Sequence, residues 1–157
     1  MRSSIILLLF FGLLFLSPLQ SPAQTSPGTR QLRLHEVVRI YIGDMGAGDA
    51  AARFRLLLEE QLVRKNFVVV DNEDRADALL VGVLSLPPLD ESEGNARVTV
   101  QLRAHEGDRL WSGNFGPRLT SVFRMKDPLQ MRAEELARRL RADWEKSAQS
   151  AGAKRKS

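Results

Sequence analysis

The amino-acid sequence predicts an α+β domain, a two-layer sandwich in which two helices cover one face of a mixed, largely antiparallel sheet of about five strands. Three observations lead to this fold class. Strand and helix patterns follow one another in the order strand, helix, four strands, helix. Ala96 to Ala104 alternate apolar and polar residues without a break. A second amphipathic helix, from Asp127 to about Ser147, needs a surface to cover.

The first strand and the first helix are joined by a glycine-rich loop. Glu36 to Ile42 are rich in β-branched residues and predict a strand. The face of this strand expected to be buried comprises Val38, Ile40 and Ile42. Gly43 to Asp49 form the loop, and Asp49 is expected to cap the helix. The apolar stripe of that helix comprises Ala51, Phe54, Leu57, Leu58 and Leu62. Asn66 is predicted to end it in a left-handed conformation.

Two more strand patterns follow this helix. Phe67 to Val70 predict a short strand, and Asp71 to Asp77 predict a turn or a single helical turn. Ala78 to Leu86 are almost continuously apolar, as expected for a strand that is covered on both faces or lies at the middle of a sheet.

The last two strand patterns form a hairpin. In the alternating strand, Ala96 and the apolar residues after it are expected to face the core, and its polar residues face solvent or a partner. Glu106 to Asp108 predict a tight turn, after which Arg109 to Phe115 return as the partner strand. One side of that strand carries Trp111, Gly113 and Phe115.

The final helix has the strongest sequence signal. Asp127 is predicted to cap it, with Pro128 at its first position and Gln130 completing a capping box. Its apolar face comprises Leu129, Ala133, Leu136, Ala137, Leu140 and Trp144. The basic residues after Ala148 predict a disordered tail over residues 149–157.

The N-terminal segment has the pattern of a bacterial signal peptide. Arg2 precedes an unbroken apolar run from Ile5 to Leu16, which is too short to span a membrane. Cleavage after Ala23 follows the small-residue rule. The sequence therefore predicts a signal peptide over residues 1–23, a flexible leader over 24–35 and a single domain over 36–148, released into the periplasm or the medium without a transmembrane anchor.

Composition excludes several kinds of site. The 157 residues contain no cysteine, which rules out disulfides, thiolate metal sites, cysteine nucleophiles and a lipidated lipoprotein cysteine. The formal net charge of +4 is a mild excess, so nucleic acid is not an expected partner.

No segment carries a catalytic or metal-binding pattern. Gly43 to Asp49 lie between a strand and a helix, where phosphates often bind, but this loop lacks the Lys-Ser/Thr of a P-loop and carries two acids. A plain turn is predicted, and an anion site remains an alternative. His35 and His105 each stand beside a glutamate, yet neighbours in an extended chain point to opposite faces. The sequence thus predicts no catalytic residue, no metal ligand and no cofactor.

The remaining candidate is a polar surface on the sheet. We expect it to be either a solvated face or a surface that binds a partner protein. The candidate residues are Arg39, Tyr41, Arg97, Thr99, Gln101 and Arg103.

Three segments resemble a known group of domains. Asn66 to Val70 form a turn into a short strand, Arg75 to Gly82 contain Ala-Asp separated by four residues from Gly, and Gly107 to Ser112 place Gly ahead of Trp in a hairpin. In these features the chain resembles the periplasmic domains grouped with the TolB amino-terminal domain, the curli secretion channel subunit and the penicillin-binding-protein activator LpoB. The resemblance covers Val37 to Ala148 and implies a fold only.

The function expected from the sequence is non-catalytic binding of another cell-envelope component, most simply a protein. One alternative is an arginine-mediated binder of an anionic ligand such as lipopolysaccharide, lipid phosphate or nucleic acid. Its binding residues would be Arg97, Arg103, Arg118 and Arg124. A second alternative is a hydrolase whose site the sequence patterns miss.

Overall fold

A five-stranded sheet organises the chain. The computed structural model describes residues 31–86, 96–116 and 127–154. The strands are β1 (Arg39–Ile42), β2 (Val68–Val70), β3 (Ala78–Ser85), β4 (Arg97–Ala104) and β5 (Arg109–Phe115). The helices are α1 (Asp49–Arg64) and α2 (Pro128–Lys154), and two short 3₁₀ turns occupy Leu34–Glu36 and Glu73–Arg75. These elements confirm the predicted fold class and the predicted order.

The sheet combines a parallel half and an antiparallel half. Its strand order is β2-β1-β3-β4-β5, so β3 is the central strand. β1 pairs in parallel with both β2 and β3, while β3, β4 and β5 form an antiparallel meander. The long antiparallel ladders account for most of the pairing. The parallel pair β1 and β2 is connected through α1, which is the usual crossover for parallel strands.

The core lies between one face of the sheet and the two helices. The largest side chains with essentially no solvent exposure include Phe54 and Leu58 of α1, Leu80 of β3, Leu102 of β4 and Leu136 of α2. Every second residue of β4 is buried, from Val98 to Ala104. The apolar stripes predicted for both helices are therefore confirmed as the faces that pack on the sheet.

Individual residues set the end of α1, the β4–β5 turn and the start of α2. Asn66 adopts φ of 63° and ends α1, as predicted. Gly107 adopts φ of 91° in the β4–β5 turn, a conformation that strains any residue with a Cβ. Asp127 caps α2, since its Oδ1 accepts a hydrogen bond of 3.0 Å from the backbone N–H of Leu129.

Two predictions at the start of the domain are wrong. Val38 was expected on the buried face of the first strand, but it is 48% exposed and Val37 is buried instead. The 3₁₀ turn ahead of β1 delays the strand until Arg39 and changes the phase of burial. Asp49 was expected to cap α1, but Gly48 occupies the cap position and Asp49 is the first helical residue.

Two boundaries also differ from the prediction. Leu32 and Leu34, assigned to the flexible leader, pack against the core. The helix α2 continues to Lys154 instead of fraying after Ala148, because the segment is rich in alanine, the strongest helix former. The predicted signal peptide, the rest of the leader and residues 155–157 lie outside the described residues.

Candidate functional site: the open face of the sheet

The face of the sheet turned away from α1 and α2, here called the open face, is built by alternate residues of all five strands. Strand register places one set of side chains on it. The set is Val68, Val70, Arg39, Tyr41, Leu79, Val81, Val83, Ser85, Arg97, Thr99, Gln101, Arg103, Arg109, Ser112 and Asn114. The six residues named as candidates from the sequence all belong to it, so the structure brings them onto one surface.

An apolar band crosses the centre of the open face. It is defined as Val68, Val70, Tyr41, Leu79, Val81 and Val83. Tyr41 lies directly between Val70 on β2 and Leu79 on β3. Val83 is 60% exposed and Val68 is 49% exposed, while the other four side chains are half-buried. Among the described residues no helix packs on this band, so its apolar surface is in contact with solvent.

Polar side chains of β4 border the apolar band on one side. Arg103 is the cross-strand neighbour of Leu79, and Arg97 is the neighbour of Ser85, two residues beyond Val83. Arg103 donates hydrogen bonds of 3.1 Å and 2.7 Å from Nε and Nη2 to Oε1 of Gln101. Because the acceptor is a neutral amide, the positive charge of Arg103 is retained on the surface.

Asp77 anchors the other arginine of this face. Its Oδ1 accepts hydrogen bonds of 3.0 Å and 2.7 Å from Nε and Nη2 of Arg39, and its Oδ2 accepts from the backbone N–H groups of Arg39 and Val38. Burial by itself raises the pKa of Asp77, but these hydrogen bonds outweigh it and hold the pKa below the ordinary value of 3.8. The pair therefore ties the start of β3 to the start of β1, and Arg39 brings no net charge to the open face.

The spacing between Ala-Asp, just ahead of β3, and Gly82 within it has a structural explanation. Asp77 forms the anchor just described, and a Cβ on Gly82 would lie 2.6 Å from the carbonyl oxygen of Thr99. In the hairpin, Trp111 donates a 2.9 Å hydrogen bond from Nε1 to Oδ2 of Asp143 on α2. These motif residues thus hold the sheet and the helices together.

The structure places the two histidines in separate contacts. His105 Nε2 lies 2.8 Å from the carbonyl oxygen of Ala76. His35 Nδ1 lies 3.0 Å from Oγ of Ser147, a pairing across 112 positions that spacing in the sequence does not reveal. Ser147 lies inside α2, where backbone N–H groups bond to carbonyls four residues earlier and cannot form an oxyanion hole beside it. The contact is best explained as a tether between the first 3₁₀ turn and α2.

The Gly43 to Asp49 loop is held by the sheet. The carbonyl oxygens of Asp44 and Met45 accept hydrogen bonds of 2.9 Å from Gly82 and Leu84 of β3. Oδ1 of Asp44 accepts from the backbone N–H of Gly46. The turn predicted here is therefore an extension of the β1–β3 pairing, and the Asp44 carboxylate is turned toward the backbone N–H of Gly46.

Within residues 31–86, 96–116 and 127–154, no group of three or more His, Asp or Glu side chains is placed to hold a metal ion. No helix in the same ranges is long and apolar enough to cross a membrane. Arg118 and Arg124, named for the anionic-ligand alternative, lie outside the described residues.

The apolar band is the feature that sequence reasoning missed. The polar residues of β4 were assigned to the face, but β3 was explained as a strand covered on both sides or central in the sheet. Only its central position is correct. A signal was present, because the predicted fold placed both helices on one face of the sheet and β3 is apolar on both of its faces.

Comparison with known proteins gives matches in fold only. No protein-family model matches the sequence, and no curated protein matches it significantly. A DUF4136 family protein from Bacteroides thetaiotaomicron is 9% identical over 73% of this chain and 92% of its own, with a TM-score of 0.49. A PelC dodecamer from Paraburkholderia phytofirmans is 17% identical over 69% and 86%, with a TM-score of 0.42. A minor lipoprotein from Acinetobacter baumannii is 9% identical over 68% and 94%, with a TM-score of 0.39. The resemblance to TolB-type, curli-channel and LpoB-like domains stays a prediction.

Proposed function

We propose that this chain is a non-catalytic accessory domain of the bacterial cell envelope that binds another protein through the open face. The observation that carries the proposal is the apolar band, which is exposed on a sheet whose other face is fully packed. Protein-binding surfaces combine an apolar centre with a polar rim. The band supplies that centre, and Arg97, Thr99, Gln101 and Arg103 supply the rim on the β4 side.

The chemistry of the face favours a protein over a phosphate-bearing ligand. A phosphate site needs several converging cations, whereas Arg39 is neutralised by Asp77, and Arg97 lies at the other end of β4 from Arg103. The apolar band separates Arg39 from the arginines of β4, and its side chains are aliphatic or, at Tyr41, aromatic. Binding driven by such a surface depends mainly on apolar contact and changes little with salt.

The export pattern of the first 23 residues supplies the proposed location, the periplasm or the medium. Cell fractionation and mass spectrometry of the product test it. We expect a chain that begins at Gln24 and is found outside the cytoplasm. A cytosolic product that retains Met1 would contradict the location and the choice of partners.

Site-directed cross-linking in the native bacterium tests the binding surface. A photo-reactive amino acid is placed at Val83 on the open face, and at the exposed Gln149 on α2 as a matched control. We expect a protein adduct from position 83 and none from position 149. The adduct should form with similar yield when the purified components are mixed at low and at high salt.

Two results would contradict the proposal. The first is an equal adduct pattern from positions 83 and 149. The second is binding to phosphatidylglycerol vesicles that is lost steeply as salt rises, which is the behaviour of phosphate contacts and would favour the anionic-ligand alternative.

A further inference from the structure

A second exposed apolar surface lies on the helix layer, opposite the open face. Leu56 is 68% exposed and Val63 is 54% exposed. They are seven residues apart in α1, two helical turns, and therefore lie on the same side of the helix. The buried stripe of α1 contains Phe54, Leu58 and Leu62, which point to the opposite side. We call the exposed side the α1 crest, defined as Ala52, Leu56, Glu59, Glu60 and Val63.

The α1 crest is acidic as well as apolar. Glu59 and Glu60 stand between Leu56 and Val63 along the helix. Glu60 forms an ion pair with Arg64 one turn later, and Glu59 makes no ion pair with any residue of the described ranges. The crest therefore presents aliphatic side chains flanked by a carboxylate, that of Glu59, which forms no ion pair within the described part of the chain.

The open face has the opposite charge. Its charged side chains beyond the Asp77–Arg39 pair are Arg97, near one end of the β3 segment of the apolar band, and Arg103 with its cross-strand neighbour Arg109, near the other end. Two open faces brought together would place these arginines near one another, and two α1 crests would place glutamates near one another. An open face and an α1 crest instead bring opposite charges together around an apolar centre.

The two surfaces also match in length. Leu56 and Val63 are separated by about 10 Å along the helix, from a rise of about 1.5 Å per residue. Leu79 and Val83 are separated by about 13 Å along β3, from a rise of about 3.3 Å per residue. A helix laid along this strand would cover the second face of the sheet as α1 and α2 cover the first, which is the helix-sheet-helix layering common in other domains.

From this we propose that the partner bound by the open face is the α1 crest of a second copy of the same chain. This inference rests on the proposed function, because it names the occupant of the same surface. The contact joins two different surfaces, so each bound copy still offers a free open face or a free α1 crest. Such a heterologous contact propagates head to tail, into a ring if the rotation closes and into an open chain if it does not.

Complementary variants test the inference in sedimentation equilibrium runs on protein expressed from the full coding sequence. Val83→Glu damages only the open face, and Leu56→Glu damages only the α1 crest. At about 100 µM, contacts of modest affinity are populated. We therefore expect the average mass of the wild type to exceed the protomer mass. Each variant alone should sediment as a protomer, with the concentration for half-assembly raised at least tenfold.

The mixture of the two variants gives the decisive measurement. Leu56→Glu keeps an intact open face and Val83→Glu keeps an intact α1 crest, so an equimolar mixture should form one contact and stop. We expect a species of twice the protomer mass and none larger. Gln149→Glu adds the same charge on α2 and should assemble like the wild type. Far-ultraviolet circular dichroism and thermal unfolding confirm that each variant is folded.

Several outcomes would overturn the inference. They are a wild type that stays a protomer, a mixture that stays a protomer, and an assembly that only one of the two variants disrupts, which indicates a contact between identical surfaces. If the wild type is a protomer but position 83 still cross-links to a different protein, the second copy is excluded and the proposed function stands. If position 83 yields no adduct with any protein, both proposals fail.

Discussion

Among the described residues, helices pack on one face of the sheet and not on the other, although the central strand β3 is apolar on both faces. Leu80 and Leu79 are consecutive residues of β3, and Leu80 has no solvent exposure while Leu79 is only half-buried. The helices α1 and α2 both pack on the side of Leu80. One face of this sheet therefore contributes to stability through buried contacts, whereas apolar side chains remain exposed on the other.

Substitutions on the two faces are therefore expected to affect different properties of the protein. Changes on the covered face should lower the free energy of unfolding, because they remove buried apolar contacts or leave cavities. Changes on the open face should leave folding nearly intact and alter association. The four predictions below probe this separation.

The two leucines of β3 provide the largest expected contrast. Leu80→Ala should lower the free energy of unfolding by about 2 to 5 kcal/mol, because it leaves a cavity under the helices. Leu79→Ala should lower it by about 1 kcal/mol or less, since this side chain is half-exposed. Urea unfolding followed by circular dichroism measures both. Equal losses would mean that both faces of the sheet are covered in the isolated chain.

Gly82 tests how tightly the covered face is packed. An alanine Cβ here would lie 2.6 Å from Cγ1 of Val100 and 2.6 Å from the carbonyl oxygen of Thr99. The strands would have to shift, so Gly82→Ala should destabilise the protein by about 1 to 3 kcal/mol. Gly116→Ala is the matched control, because its Cβ would meet no atom of the described residues within 4 Å. A harmless Gly82→Ala would show that β3 and β4 can separate at low cost.

Asp77 gives a prediction on pH. Its pKa is depressed in the folded chain, so its contribution to stability is present above the unfolded pKa of about 4 and is lost as the pH falls through the lower folded value. Asp77→Asn should cost about 1 to 2 kcal/mol at neutral pH, from weakened hydrogen bonds to Arg39 and the backbone.

Unfolding of wild type and Asp77→Asn across a pH series measures this effect. The difference between them should shrink toward zero as the pH falls through the lowered folded pKa of Asp77, because protonated Asp77 then resembles asparagine. Asp71→Asn, which changes an exposed carboxylate, is the control and should show little difference at any pH. A difference that persists unchanged at low pH would mean that the carboxylate charge of Asp77 does not stabilise the fold.

Much of this fold could be predicted from local patterns. The alternation in β4 and the stripe of α2 depend on neighbours a few residues apart, and both were predicted correctly. Ile40 and Ile42 are buried as predicted, but Val38 was placed wrongly because β1 begins only at Arg39, after the 3₁₀ turn. The contact of His35 with Ser147 and the apolar band both depend on residues that are far apart in the chain. The residue pattern of one β-strand predicts which of its side chains are apolar. It does not predict which face of the sheet a helix will cover.

The smallest effect is expected at Val83, the most exposed residue of the apolar band. Val83→Thr keeps the β-branched shape that suits a strand and replaces one methyl by a hydroxyl on a side chain that is 60% exposed. The free energy of unfolding should change by no more than about 0.5 kcal/mol in the dilute protomer. Urea unfolding at low protein concentration measures it. If the loss approached that of Leu80→Ala, some part of the chain would have to cover Val83, and the open face would not be available to a partner.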